Sequence, residues 1–168
     1  MWHQRPNLRG LPKPSISLTL PHLAATEHLA NAIAPELQTG DVLELRGSIG
    51  VGKTTFVRAL IRSLGGTEEV PSPTFNLLYV YELSSLTIWH FDLFRVERLN
   101  DVYELGAEDA LETGVSLIEW PDVMQPLIPN ERLEIKFSYQ PGESRHVAIR
   151  GYGTWPKRLA RLGSLSYG

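Results

Sequence analysis

Residues 47–56, GSIGVGKTTF, bring together three glycines, one lysine and two adjacent threonines. Small residues in such a run let backbone N–H groups turn inward around an anion. A helix beginning near Lys53 would aim its N-terminal dipole and unpaired donors at the same point. Gly47, Gly52, Lys53 and Thr54 satisfy G-x-x-x-x-G-K-[ST] without a gap. The chemistry expected of that pattern is triphosphate binding, with Lys53 bridging the β- and γ-phosphates and the Thr54 hydroxyl on Mg²⁺. The expected nucleotide contacts run through Ser48, Ile49, Gly50, Val51 and Gly52 to Lys53, Thr54 and Thr55.

A triphosphate site also needs a carboxylate at a neighbouring strand end. Asp92 in TIWHFDLFR follows an apolar strand pattern, where a Walker B aspartate belongs. Glu119 in VSLIEWPD ends a buried run and must be solvated, paired or on a metal. The residues alone leave open which of the two meets Mg²⁺ directly. In SPTF, two prolines flank Ser72 and stiffen the chain ahead of Thr74. Thr74 sits where P-loop proteins place a segment that senses the γ-phosphate. Arg95, three residues after Asp92, keeps a second chemistry open: a small-molecule kinase with Asp92 as base and Arg95 as phosphate clamp. A nucleotide-binding module without turnover is the third option. Neither N-K-x-D nor L-S-G-G-Q occurs, which argues against guanine recognition of the common GTPase kind and against a transporter-type ATPase.

Positioning these groups falls to strands and helices that the pattern marks out. DVLELRG is a short strand entering the glycine loop, and KTTFVRALIRSLGG an amphipathic helix stopped by Gly65-Gly66. SISLTL reads as a strand, and ATEHLANAIAPEL as a helix with Thr26 at its N-cap and Pro35 ending it early. Thr26 is also counted with the nucleotide-contacting residues. VPSPTFNLLYVYEL turns into a strand, and LTIWHFDLF and GVSLIEWPD are two more. NDVYELGAEDALE reads as one or two short helices opened by an Asp101–Glu104 capping box. ERLEIKFSY and RHVAIRGYG form a late antiparallel pair joined through Pro141-Gly142, and WPKRLARL gives a last helical turn or two. The fold class expected is α/β and P-loop NTPase-like: a central parallel sheet with antiparallel additions, flanked by helices. The expected organisation is a tail over 1–14 and a single P-loop ATPase domain over 15–168.

Bulk properties narrow the function. The 168 residues suffice for one domain with a real core. A net charge of −3 gives no global basic face for gripping nucleic acid unaided. With no cysteine, disulfides, thiolate metal clusters and a thiol nucleophile are excluded. The apolar runs are far shorter than the roughly 20 residues that span a bilayer. No membrane role and a cytoplasmic location are expected.

GSIGVGKTTF, SPTFNLLYVY, HFDLFR and LIEWPD, in this order and spacing, resemble the bacterial ATPase family of tRNA threonylcarbamoyladenosine synthesis, TsaE or YjeE. The likeness covers roughly residues 16–150. It departs at Ser48, where the family usually has Asp, and at Phe94, where it usually has Tyr. The resemblance implies a weak ATPase acting with a two-subunit complex that transfers a threonylcarbamoyl group to adenosine 37 of tRNAs reading codons that begin with A. It implies contact with tRNA through that complex, and hydrolysis that resets the complex between turnovers. It implies ATP and Mg²⁺ as cofactors, with Glu119 and Thr54 on the metal. It places Asp92 near the γ-phosphate and its water, with Lys53 and Thr74 acting there too, and Trp120 beside the nucleotide.

Overall fold

The computed structural model describes residues 16–162; the tail expected over 1–14 lies outside the described residues. Seven strands form one sheet: β1 (Ile16–Leu20), β2 (Val42–Arg46), β3 (Leu78–Glu82), β4 (Thr87–Asp92), β5 (Val115–Glu119), β6 (Leu133–Tyr139) and β7 (Arg145–Gly151). Their order across the sheet is β1-β7-β6-β2-β5-β4-β3. The central four, β6, β2, β5 and β4, run parallel. The outer pairs β1–β7, β6–β7 and β3–β4 are antiparallel, of which β6–β7 is the late pair expected from the sequence.

Side chains alternate across the central strands and sort two cores. Leu43 and Leu45 of β2, Val115 and Leu117 of β5 and Ile88 of β4 join a large cluster with α1 (Leu23–Ile33) and α2 (Lys53–Ser63). Val42, Ile118 and Phe91 point the other way, onto α3 (Leu99–Glu104) and α4 (Ala107–Thr113). Fully burying a Leu, Ile or Phe side chain is worth about 1.5–3 kcal/mol. The same alternation throws His90, Asp92 and Glu119 onto the α2 side, where the glycine loop lies.

Helix α2 ends as the paired glycines demand. Gly65 takes φ +93°, its N–H bonds Arg62 O at 3.0 Å, and Gly66 N–H bonds Ile61 O at 2.9 Å, a Schellman stop. Pro35 closes α1 in a 3₁₀ turn, Ala34–Glu36.

Two helix starts differ from the sequence expectation. The N-cap of α1 is His22, without a side-chain cap, so Thr26 lies inside the helix and is buried. Apolar packing of Ala25, Leu29, Ala30 and Ile33 carries this helix, and Ala25 takes the buried face back past Thr26. The N-cap of α3 is Arg98, again without a side-chain cap. Asp101 falls in the first turn of α3, where its charge complements the helix dipole but caps nothing.

A last helix, α5 (Trp155–Ala160), is anchored by Arg158. This arginine is 5% exposed and donates from both Nη atoms to the Asp41 carboxylate, at 2.6 and 2.9 Å. Asp41 immediately precedes β2, so the clamp steadies the strand that feeds the glycine loop. Breaking a buried pair of this kind from one side costs about 3–5 kcal/mol.

Candidate active site

The loop between β2 and α2 is shaped by backbone constraints. A Cβ on Gly47 would lie 2.6 Å from Phe137 O, so β6 leaves no room for a side chain there. Gly52 adopts φ +117° as the N-cap of α2, a left-handed conformation that opens the helix N-terminus. Val51 N–H bonds Ser48 O at 3.3 Å, which closes the loop on itself. The Ser48 side chain is exposed, and Ile49 is 68% exposed at the mouth of the cleft.

Lys53 is buried, and its Nζ donates to Gly47 O at 2.5 Å. The ammonium also lies 3.9 Å from the centre of the Trp120 ring, a cation–π contact. Desolvation pulls the Lys53 pKa below its ordinary value, and the charges of Glu119 and Asp92 oppose that pull. Trp120 is held in the left-handed region, φ 57° and ψ 61°, and packs on Phe94 at 4.9 Å between ring centres. A non-glycine residue in such a conformation costs on the order of 1–3 kcal/mol. That strain turns the indole back over the lysine as Pro121 leads the chain out of β5.

Both candidate carboxylates end strands. Asp92 and Glu119 are register partners on the parallel strands β4 and β5, so they stand side by side. Glu119 is 3% exposed and accepts from Thr54 Oγ1, which is 3.2 Å from each of its oxygens. Behind it, His90 Nε2 lies 2.6 Å from Glu119 Oε2. Asp92 is 6% exposed and accepts from Thr74 Oγ1 at 3.1 Å and from the Phe94 N–H at 3.0 Å. Thr74 in turn pairs with Ser72 at 2.8 Å. The segment carrying them ends at Leu77, φ 64°, whose carbonyl accepts the Asp92 N–H at 2.9 Å.

Ile49, Gly50, Lys53, Thr54, Thr74, Asp92, Glu119 and Trp120 therefore line one cleft, together with Ser72, Phe94 and Arg95. Gly52 and Thr55 border an adjoining pocket with Lys53, Thr54 and Glu119. With Val51 and Thr26 they also line a recess that includes His22, Glu143 and Arg145. Arg145 lies over the Tyr139 ring at 4.5 Å, and Tyr139 Oη donates to Ile49 O at 3.1 Å. Thr26 thus borders the glycine loop from within α1. Sequence reasoning missed His90, His22, Glu143 and Arg145. His90 stands inside the quoted HFDLFR motif, which was its one available signal; the recess arises only where β1, β7 and the loop meet.

Residues 20–147 match the family model described as "Threonylcarbamoyl adenosine biosynthesis protein TsaE". The tRNA threonylcarbamoyladenosine biosynthesis protein TsaE of Rickettsia felis is 39% identical over 125 residues, 74% of this chain and 73% of that one. Its namesake in Rickettsia bellii is 37% identical over 121 residues, 71% and 84% of the two chains. The Bacillus subtilis TsaE is 33% identical over 129 residues, 76% and 80%. The crystal structure of Bacillus subtilis YdiB superposes with a TM-score of 0.72 at 26% identity, covering 88% of this chain and 93% of that one. With its P-loop-type α/β sheet and a family match across most of its length, this chain belongs to the TsaE family of threonylcarbamoyladenosine biosynthesis proteins.

Proposed function

We propose that the chain binds ATP with Mg²⁺ and hydrolyses it slowly, as the accessory ATPase of threonylcarbamoylation at adenosine 37 of tRNAs reading codons that begin with A. Its partner is the two-subunit transferase complex, and tRNA is met through that complex. The observation that carries this reading is the convergence of Lys53, Thr54, Thr74, Asp92 and Glu119 on one cleft beside the helix α2 N-terminus. The domain is read as a single P-loop unit over 15–168, working in the cytoplasm. Among the described residues, no helix is long and apolar enough to cross a membrane.

The donor set fits Mg²⁺. Thr54 and Glu119 offer hard oxygen ligands already within hydrogen-bond distance of each other. Among the described residues, no group of three or more His, Cys, Asp or Glu could hold a metal alone. Mg²⁺ at a triphosphate keeps waters and takes phosphate oxygens, so it calls on few protein ligands. When bound, the ion neutralises phosphate charge.

The chain's own residues do the rest. The loop's backbone N–H groups and Lys53 hold the β- and γ-phosphates. Lys53 must leave Gly47 O to do so. Asp92, beside the γ-phosphate, orients the attacking water. Trp120 and Phe94 wall the cleft against bulk solvent. The recess around Thr26, Thr55 and Arg145 receives the nucleoside. The kinase alternative asks Arg95 to clamp a substrate phosphate; its guanidinium instead lies over the Phe75 ring at 5.0 Å.

The test is ATP turnover and nucleotide affinity of the purified chain, with and without the transferase complex. Slow hydrolysis without any acceptor, raised by the complex, supports the reading. Lys53→Ala should abolish turnover and weaken ATP binding by about 2–5 kcal/mol, the cost of truncating a buried charge partner. A phosphorylated small product would overturn the reading in favour of the kinase.

A further inference from the structure

His90 is completely buried in β4, and its polarity serves one purpose. Its Nε2 reaches Glu119 Oε2 at 2.6 Å, while Nδ1 is buried with no hydrogen-bond partner. Glu119 as a carboxylate can only accept, so Nε2 carries the proton. A buried polar ring costs stability unless its hydrogen bonds return it. The fold does not need an imidazole at this point: the neighbouring same-face residue, Ile88, fills the core with carbon alone. What the ring does is hold one oxygen of a carboxylate that stands at the phosphate loop.

We infer that His90 is a positioning residue that fixes the Glu119 carboxylate, through Oε2, in the orientation in which it stands beside Thr54. The inference rests on the reading of Glu119 as a Mg²⁺ ligand. Mg²⁺ demands near-ideal octahedral geometry, whereas Ca²⁺ accepts a looser, more flexible shell. A carboxylate fixed in place from behind by a 2.6 Å hydrogen bond favours the ion with the stricter geometry. Outer-shell partners of this kind orient metal ligands, and losing one typically lowers metal affinity about 10–100-fold. His90 therefore sets both the affinity for the metal–nucleotide complex and the choice of metal.

The test measures ADP and ATP affinity by calorimetry in EDTA, in Mg²⁺ and in Ca²⁺, for wild type, His90→Asn and His90→Gln. Asn is too short to reach Glu119, while Gln can place an amide N–H close to the Nε2 position. His90→Asn is expected to lose about 10-fold or more of the Mg²⁺-dependent gain in affinity and to narrow the Mg²⁺-over-Ca²⁺ ratio. Its affinity in EDTA should be unchanged, a result that general misfolding would not give. His90→Gln should recover most of both quantities. Should His90→Asn fail to fold, His90→Leu carries the test, because it fills the apolar site as Ile88 does beside it, offers Glu119 no N–H, and should show the same losses. Wild-type behaviour of His90→Asn, or equal loss in EDTA and Mg²⁺, overturns the inference while leaving the Mg²⁺ reading intact. Wild-type affinity that ignores Mg²⁺ altogether overturns both.

Discussion

Two carboxylates stand side by side at the sheet's edge of the cleft, and they are held in opposite ways. Glu119 is gripped by side chains of two regular elements, Thr54 of α2 and His90 of β4. Asp92 is held by the Phe94 N–H of its own turn and by Thr74 of a proline-flanked loop. One acid is locked to a helix and a strand; the other is linked to a loop. Phe75, next to Thr74, is 81% exposed. The contrast suits a division of labour, with the locked acid holding the cation and the linked acid sensing what the γ-phosphate does.

The largest expected effect tests the linked acid. Asp92→Asn should lower hydrolysis by about 10²–10⁴-fold, the usual contribution of a positioned acid–base group, with ADP affinity nearly unchanged. Single-turnover measurements check this, and an equal loss of ADP binding would erase the contrast. The next concerns the locked acid. Glu119→Ala should raise the Mg²⁺ concentration needed for half-maximal nucleotide binding by about 10–100-fold, read by titration at fixed ATP. A structure with Asp92 directly on Mg²⁺ and Glu119 turned away would reverse the assignment.

A smaller effect sharpens the comparison. A ligand shifts an equilibrium only through contacts that differ between states. ATP and ADP differ by the γ-phosphate, and the proposed function sets Thr74, bonded to Asp92, beside it. Thr74→Ala should leave ADP binding intact and flatten the ATP-over-ADP preference for the transferase complex by about 1 kcal/mol, roughly 5-fold. Partner affinity in each nucleotide state is the measurement, and equal wild-type affinities would end the switch reading.

The smallest effect lies away from both acids and serves as their control. Burial pushes the Glu131 pKa up, but hydrogen bonds from Thr154 and the charge of Arg158 bring it below the ordinary carboxylate value overall. A depressed carboxylate stabilises the fold above its unfolded-state pKa, and that stability is lost as pH falls through the folded value. Glu131→Gln should therefore flatten the acid limb of a thermal-stability profile while turnover near neutrality stays at the wild-type level.

Much of this architecture was legible because its signals are local. The glycine loop, the double-glycine stop of α2 and the alternating strands announce themselves within a few residues. Thr26 misled as an N-cap because an apolar helix face extended the helix one turn earlier than its polar signal. Asp101 misled in the same way. The pairing of Arg158 with Asp41 spans 117 positions, and that of His90 with Glu119 spans 29. Neither has a periodicity to reveal it, since both arise when strands from distant parts of the chain are laid together.

The register that sets Asp92 beside Glu119 also bears on robustness. Two like charges on adjacent strand ends repel, and a site arranged for a cation keeps them there at the expense of the fold. A bound cation would relieve that repulsion, and any ligand that binds only the folded state stabilises it, so the liganded protein should outlast the free one under heat or proteolysis. On the proposed function a chaperone-like role then falls to the small molecule, whose supply would set how long each copy of this protein survives.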